Sequence, residues 1–147
     1  MKLNELLIVF SIVLLDQGSK YLVTQNFPPG ESAPLWGQFL YLTHVRNPGG
    51  AFGFLAQHPG IFIISTIILF ILAAFILWPL ARDNRPLRLG LLIGLGGALG
   101  NFIDRLVHGV VIDFIDVRWW PVFNFADVAI VIGVLLIFGQ IVGRRVD

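Results

Sequence analysis

Cysteine is missing from all 147 residues, which removes disulfides, thiolate metal sites and cysteine nucleophiles together. The absence fits any redox compartment and selects none. Charge is scarce as well: Asp, Glu, Lys and Arg make up 13% of the chain, against roughly 25% in a typical soluble domain. With a formal net charge of +1, nothing suggests a nucleic-acid partner or a polybasic patch. His44, His58 and His108 lack the H-E-x-x-H spacing of a zinc site, so neither a metal nor another cofactor is expected. Ser19 and Lys20 are adjacent and point about 100° apart on a helix, which argues against a Ser/Lys dyad from those two. The G-x-S-x-G nucleophile elbow is absent, as are internal repeats and low-complexity tracts.

What the chain has instead is apolar bulk, with 56% hydrophobic residues. Four stretches, 3–23, 61–80, 87–107 and 125–142, have about the 20 residues a helix needs to cross a ~30 Å hydrocarbon core. The predicted fold is an all-α membrane protein, a single domain over 1–147 with four transmembrane helices. The opening "MKLNELLIVFSIVLL" resembles a signal peptide, but "DQGSK" follows it in place of a small-residue cleavage site, so a retained first span is expected. Four crossings put both termini on one side. Lys2, Arg144, Arg145 and the "ARDNRPLR" loop between spans two and three carry most of the basic charge, and the positive-inside rule makes that side cytoplasmic. Arg46 and Arg118 fall on the opposite side with Trp36, Trp119 and Trp120, expected as interfacial anchors.

The segment 24–60 is long and rich in Gly, Pro and aromatics. Within it "GQFLYLTHVRN" has the β-branched and aromatic content of a strand, between the turn signals "FPPG" and "NPGG". A small extracytoplasmic β platform is expected there. Span three contains "GLLIGLGGALG", whose Gly90/Gly94 and Gly96/Gly100 spacings allow close helix contact.

The polar residues of the spans share a depth. At 1.5 Å per residue from the nearest cytoplasmic charge, Asp127 lies roughly 25 Å up, Asp104 roughly 24 Å, Asp16 roughly 21 Å and Asn101 roughly 20 Å. All fall in the outer third of the bilayer, as one cluster built from three helices would, with Asp113 descending from the outer loop. Each also has a plain structural reading. Asp16 and Lys20, spaced i, i+4, can pair along one helix face. Asn124 and Asp127 read as an N-cap followed by an acid favoured by the helix dipole. Asp104 and Arg105 can neutralise each other or meet a lipid phosphate. Asp116, two residues before Arg118, reads as a solvated loop charge. Asp113, in "VVIDFI", has no basic residue within four positions and resists such a reading.

Two carboxylates held close share a proton, and one can activate water while the other protonates a carbonyl oxygen. This aspartic scheme needs neither metal nor thiol, and nearby Asn side chains can orient the peptide. A proton-coupled transporter is the main rival, since buried Asp, Asn and Arg also mark ion pathways. It predicts polar residues through the whole membrane depth, whereas the inner halves are apolar apart from Gln140. An assembly protein using its G-x-x-x-G face would leave Asp113 and Asp127 without a purpose.

Read in order, "DQGSK", "NPGGAFGF", "GGALGNFIDR", "VVIDF" and "FNFAD" resemble the signature blocks of bacterial lipoprotein signal peptidase, or signal peptidase II. Gly50 departs from the family's more frequent Ala. The resemblance implies intramembrane cleavage of prolipoproteins on the N-terminal side of a diacylglyceryl-modified cysteine. By the same resemblance Asp113 and Asp127 are the catalytic dyad, while Asn47, Asn101, Arg105 and Asn124 surround it and hold substrate. Asp16 and Lys20 resemble a supporting pair on the first helix. The implied setting is the bacterial inner membrane, with the active site near the outer face, membrane lipids and lipopeptide-like inhibitors as further partners, and a monomer sufficient to enclose the site.

Overall fold

The computed structural model describes residues 2–49 and 59–143. Four helical segments are long and apolar enough to cross a membrane: α1 (Leu3–Asn26), the run Gly60–Ala81, α4 (Arg85–His108) and α5 (Phe125–Gly143). The second is composite, with α2 (Pro59–Leu72) passing through a π-helical turn (Ala73–Leu77) into the short α3 (Trp78–Ala81). Pro79 lacks an N–H and its ring crowds the carbonyl four residues back, so the ladder re-registers across the turn that precedes it. Each span extends a little beyond its sequence estimate because the stops are local. Phe27 precedes Pro28 and is driven into extended geometry, which ends α1. Asn84 caps α4 by accepting from the Leu87 N–H at 3.0 Å, and Gly109, at φ 72°, closes its other end in the left-handed region.

Three antiparallel strands, β1 (Ser32–Trp36), β2 (Leu40–Asn47) and β3 (Val111–Asp116), form a sheet in the order β1-β2-β3 at one end of the bundle. The expected strand in 24–60 is β2. Its neighbour β3 was not anticipated: the stretch expected to descend as loop is a strand carrying Asp113. Between Leu42 and Val45 the register slips by one, so Thr43 and His44 together stand opposite Phe114, a bulge that re-aims the end of β2. His44 is buried and its Nδ1 lies 2.6 Å from the Phe27 carbonyl, tying the platform to the end of α1. Asp116 is not a solvated charge. It is buried, accepts from the Thr43 hydroxyl at 2.8 Å and the Arg118 N–H at 2.8 Å, and pairs with the Arg118 guanidinium at 3.4 Å. That grip holds Arg118 at φ 69°, with its guanidinium over the Tyr41 ring. Trp36, Trp119 and Trp120 are exposed at this end.

At the opposite end Arg88 pairs with Glu5 at 3.1 Å, and Asn84 donates to Gln140 at 3.3 Å. The starts of α1 and α4 therefore meet the close of α5 there. Arg144, Arg145, His58 and Gly50 lie outside the described residues.

The central helix is α4. Half of its most apolar window is buried, against 17% for α1 and α5, whose outward faces carry Phe10, Leu14, Leu135 and Phe138. Its glycines divide between two neighbours. A Cβ at Gly90 would meet the Gly133 carbonyl at 2.9 Å, and one at Gly97 would strike the Ala126 carbonyl, both on α5. Gly96 and Gly100 instead face Ile12 and Asp16 on α1. A Cβ on Gly133 itself would fall 2.6 Å from the Gly90 carbonyl and 2.7 Å from Gly94 backbone atoms, which cannot move aside cheaply. Gly133→Ala should therefore destabilise the bundle by about 1–3 kcal/mol or more in detergent unfolding. Gly139→Ala, with nothing within 4 Å of its Cβ, should be neutral or slightly stabilising. Equal stability of the two variants would contradict this packing.

Candidate active site

The site is assembled from five elements around a buried ammonium. Lys20, 3% exposed, lies 2.8 Å from Asp16 Oδ2, 2.9 Å from Asp104 Oδ2 and 3.0 Å from Asn101 Oδ1. The i, i+4 pair expected on α1 is present, but Lys20 also reaches across to α4. Asp104 pairs with Lys20 and not with Arg105, which corrects the sequence reading. Gln17 closes the cluster by donating from Nε2 to Asp104 Oδ1 at 2.8 Å and Asp16 Oδ2 at 3.2 Å. A buried charge is tolerated only when paired and hydrogen-bonded, and these groups meet that condition.

Each acid of the cluster also grips a backbone N–H. Asp104 Oδ2 accepts from Ile112 at 3.0 Å, the residue before Asp113, and Asp16 Oδ1 accepts from Ala126 at 3.0 Å, the residue before Asp127. The clasp on α1 and α4 thereby fixes the backbone beside both candidate catalytic residues.

Asparagine amides connect the clasp to these two acids. Asn101 donates to Asp127 Oδ1 at 2.8 Å. Asn124, fully buried, donates from Nδ2 to Asp113 Oδ1 at 2.7 Å, Asn101 Oδ1 at 3.0 Å and the Ile112 carbonyl at 3.3 Å. Asn47, at the end of β2, donates to Asp113 Oδ2 at 2.8 Å. Asn124 and Asp127 also cap α5 reciprocally: the Asp127 N–H donates to Asn124 Oδ1 at 2.9 Å and the Asn124 N–H to Asp127 Oδ2 at 3.2 Å. The capping reading of N-x-x-D thus holds alongside the other contacts of Asp127.

Asn47, Asn101, Arg105, Asp113 and Asp127 line one cavity of about 230 Å³, walled further by Val111 and the segment from Trp120 to Phe123. Arg105 is held by its bond to the Asn101 carbonyl at 3.2 Å and sits over the Phe62 ring, 4.8 Å from its centre. Burial pushes the Asp113 carboxyl up to about 7; the Asn47 amide opposes that rise and the Asp127 charge adds to it, while the Asn124 amide and Lys20 charge pull it down. Asp16, Lys20 and Asn124 stand behind the wall, so their contact with the site passes through Asn101, Asp113 and backbone. Among the described residues no cluster of three His, Asp or Glu side chains is arranged to hold a metal ion.

Residues 8–142 match the model of the family described as signal peptidase (SPase) II. The chain belongs to the signal peptidase II family. It is 49% identical over 138 residues to the lipoprotein signal peptidase of Moorella thermoacetica, covering 92% of this chain and 91% of the relative. The lipoprotein signal peptidase of Syntrophomonas wolfei is 46% identical over 138 residues, covering 91% of each. A bacterial membrane enzyme solved by the in meso method at 2.3 Å resolution superposes with a TM-score of 0.92 at 35% identity, over 97% of this chain and 89% of that one. The family makes the protein a peptidase and, with four apolar helices, a multi-pass membrane protein.

Gln17 is a part of this cluster that sequence reading did not assign, and Asp104, which it placed at the shared depth, was given the wrong partner. A signal for Asp104 existed, because Lys20 lies roughly 27 Å from Lys2 along its helix, close to the depth of Asp104. Removing one partner from a buried ion cluster leaves uncompensated charge, so Lys20→Met should destabilise by about 3–5 kcal/mol in chemical unfolding. Stability within about 0.5 kcal/mol of the parent would show that the clasp is not a support.

Proposed function

We propose that the protein is an intramembrane aspartic endopeptidase that removes signal peptides from bacterial prolipoproteins, cutting on the N-terminal side of a diacylglyceryl-modified cysteine. The observation that carries this reading is the position of Asp113 and Asp127 in the wall of one small cavity, each hydrogen-bonded to asparagine amides. Family membership supplies the substrate class. Beside the cavity an apolar groove of about 480 Å³ runs from Asp127 along Val128, Val131 and Ile132 under Trp119 and Trp120. An apolar, lipid-bearing substrate fits such a wall, and lipopeptide-like inhibitors would compete for it. One chain encloses the cavity, so a monomer suffices.

The two acids have different surroundings. Asp113 is raised to about 7 by burial, and Asp127 faces the same cavity from the first turn of α5. Asp113 therefore holds the shared proton and Asp127 is the base. Asp127 takes a proton from water as its oxygen attacks the scissile carbonyl carbon, and Asp113 protonates the carbonyl oxygen. The tetrahedral diol collapses when Asp127 gives its proton to the departing nitrogen and Asp113 recovers one from a hydroxyl. The C–N bond breaks and both acids return to their starting states. Arg105, a cation in the cavity wall, holds substrate carbonyl oxygen, and Asn47, Asn101 and Asn124 keep the acids in register.

Lys2, Arg82, Arg85 and Arg88 lie at the end away from the platform, and by the positive-inside rule that supports a cytoplasmic side there and an active site near the outer face. A single cysteine at position 85 should react with an impermeant maleimide only after cells are opened. Labelling in intact cells would reverse the orientation.

Asp113→Asn and Asp127→Asn should each remove most cleavage of a diacylglyceryl-modified prolipoprotein, on the order of several kcal/mol of barrier. The double variant should be little worse than either, because paired catalytic groups act as a unit. Asp116→Asn should keep its turnover while losing about 1 kcal/mol of stability, since its bonds hold the platform and not the cavity. In the parent, kcat/KM should fall as pH rises through about 7, where Asp113 loses the proton it donates. Near-normal turnover by a folded, inhibitor-binding Asp113→Asn or Asp127→Asn enzyme would falsify the dyad.

A further inference from the structure

The β2–β3 pair has a second face. Asn47 lies opposite Val111 in the ladder, and both line the carboxylate cavity with Asp113. One step along, Arg46 lies opposite Ile112, and alternation turns this pair the other way. There it meets Thr24 of α1 and His108 of α4 around a separate cavity of about 180 Å³. This space is smaller than the roughly 300–1,000 Å³ of a typical small-molecule site. It suits a compact charged group and not a peptide.

Its chemistry is basic and uncompensated. Among the described residues neither Arg46 nor His108 forms an ion pair, and the sequence from Gly50 to His58 contains no acid. A guanidinium presents several donors in a fork matched to phosphate, and an imidazole can donate from a ring nitrogen in either protonation state. The Thr24 hydroxyl donates to the Tyr21 carbonyl at 2.9 Å, leaving its lone pairs for a hydroxyl on a ligand. The adjoining ends of α1 and α4 carry partial negative charge that helps two basic groups sit together, so an anion would be held by the side chains and not by the helices.

Position supplies the ligand's source. On α1 the exposed Tyr21 and Leu22 give way to Thr24, Gln25 and Asn26, and on α4 the exposed Leu106 and Val107 give way to His108 and Gly109. Both helices change from apolar to polar at the level of the cleft, which is where lipid headgroups meet hydrocarbon. We infer that the cleft binds the phosphodiester of an anionic membrane phospholipid, with Arg46 and His108 on the phosphate and the acyl chains along Leu22, Leu106 and Val107. A zwitterionic headgroup would bring its ammonium toward Arg46 and bind less well.

Protein in neutral detergent can be titrated with dioleoylphosphatidylglycerol, dioleoylphosphatidylcholine or inorganic phosphate, with native mass spectrometry counting bound lipid and thermal unfolding followed in parallel. The expected result is one phosphatidylglycerol per chain, held about tenfold more weakly by Arg46→Gln and more weakly still by Arg46→Gln/His108→Gln. A doubly lysine-substituted chain, Arg46→Lys/His108→Lys, should retain the lipid, which separates charge from any effect on folding. Phosphatidylcholine should bind about tenfold more weakly than phosphatidylglycerol. Undiminished retention by the folded double glutamine variant overturns the site, and equal binding of the two lipids overturns its preference for an anion. A stabilisation by inorganic phosphate equal to that by lipid assigns the cleft to free phosphate and overturns the lipid reading.

Discussion

One ammonium group, buried where α1, α4 and the start of α5 meet the platform, constrains the rest of the structure. Lys20 can remain charged there only if carboxylates come to it, and Asp16 and Asp104 do so from α1 and α4. A carboxylate has more acceptor sites than one ammonium can fill, and those left over must find donors or cost free energy. They find Gln17 and the N–H groups of Ile112 and Ala126. The same requirement that keeps Lys20 charged thus sets the backbone of β3 and the first turn of α5. A chain expected to place its reacting groups within about 0.5 Å needs such a support. Here it comes from acids that do not line the cavity.

Two similar carboxylates acquire different characters because they arrive on different elements. Asp113 comes on a strand that is buried on both sides, between amides of Asn47 and Asn124. Asp127 comes in a helix's first turn, where it serves also as one half of the cap. Burial on the strand holds the Asp113 carboxyl above its ordinary range, which suits the acid of the proposed pair. The strand register divides the platform in the same way. One face carries Asn47 and Asp113 toward the carboxylate cavity, and the other carries Arg46 toward the basic cleft, so acid and base are kept apart by a sheet one residue thick.

Much of this was legible in the sequence because membrane spans are written in composition. The four stretches and the shared depth of Asp16, Asn101, Asp104 and Asp127 follow from hydropathy and helix rise, and the strand within 37–47 from β-branched and aromatic content between turn signals. What escaped depends on partners distant along the chain. The run Val111–Asp116 pairs with a strand more than sixty positions earlier, and its central acid masks the apolar pattern of a buried strand. Asp116 looked solvated because its partner Thr43 lies on that same distant strand. Asp104 was matched to its sequence neighbour Arg105, although Lys20 on another helix is the group at 2.9 Å. Local spacing identifies which residues share a face but not which face meets it.

The glycines of α4 show how closely packing and site are joined. Their spacing alone fits a helix offered to another protein, yet within this chain both glycine faces are already occupied, Gly90 and Gly97 by α5 and Gly96 and Gly100 by α1. Asp and Asn side chains are short, so amide and carboxylate links between helices form only when the backbones approach closely. A Cβ at Gly100 would strike the Asp16 carboxylate itself, and one at Gly97 would strike the carbonyl of Ala126, beside Asp127. The small residues are therefore required by the polar cluster as well as by van der Waals contact. Lengthening the helix separation by the width of a methyl group would leave the apolar surface to be filled by lipid, but it would pull Asp16 from the Ala126 N–H and Asn101 from Asp127. The glycine pattern belongs to the interior of the fold, where it sets the reach over which Lys20 and the asparagines can act.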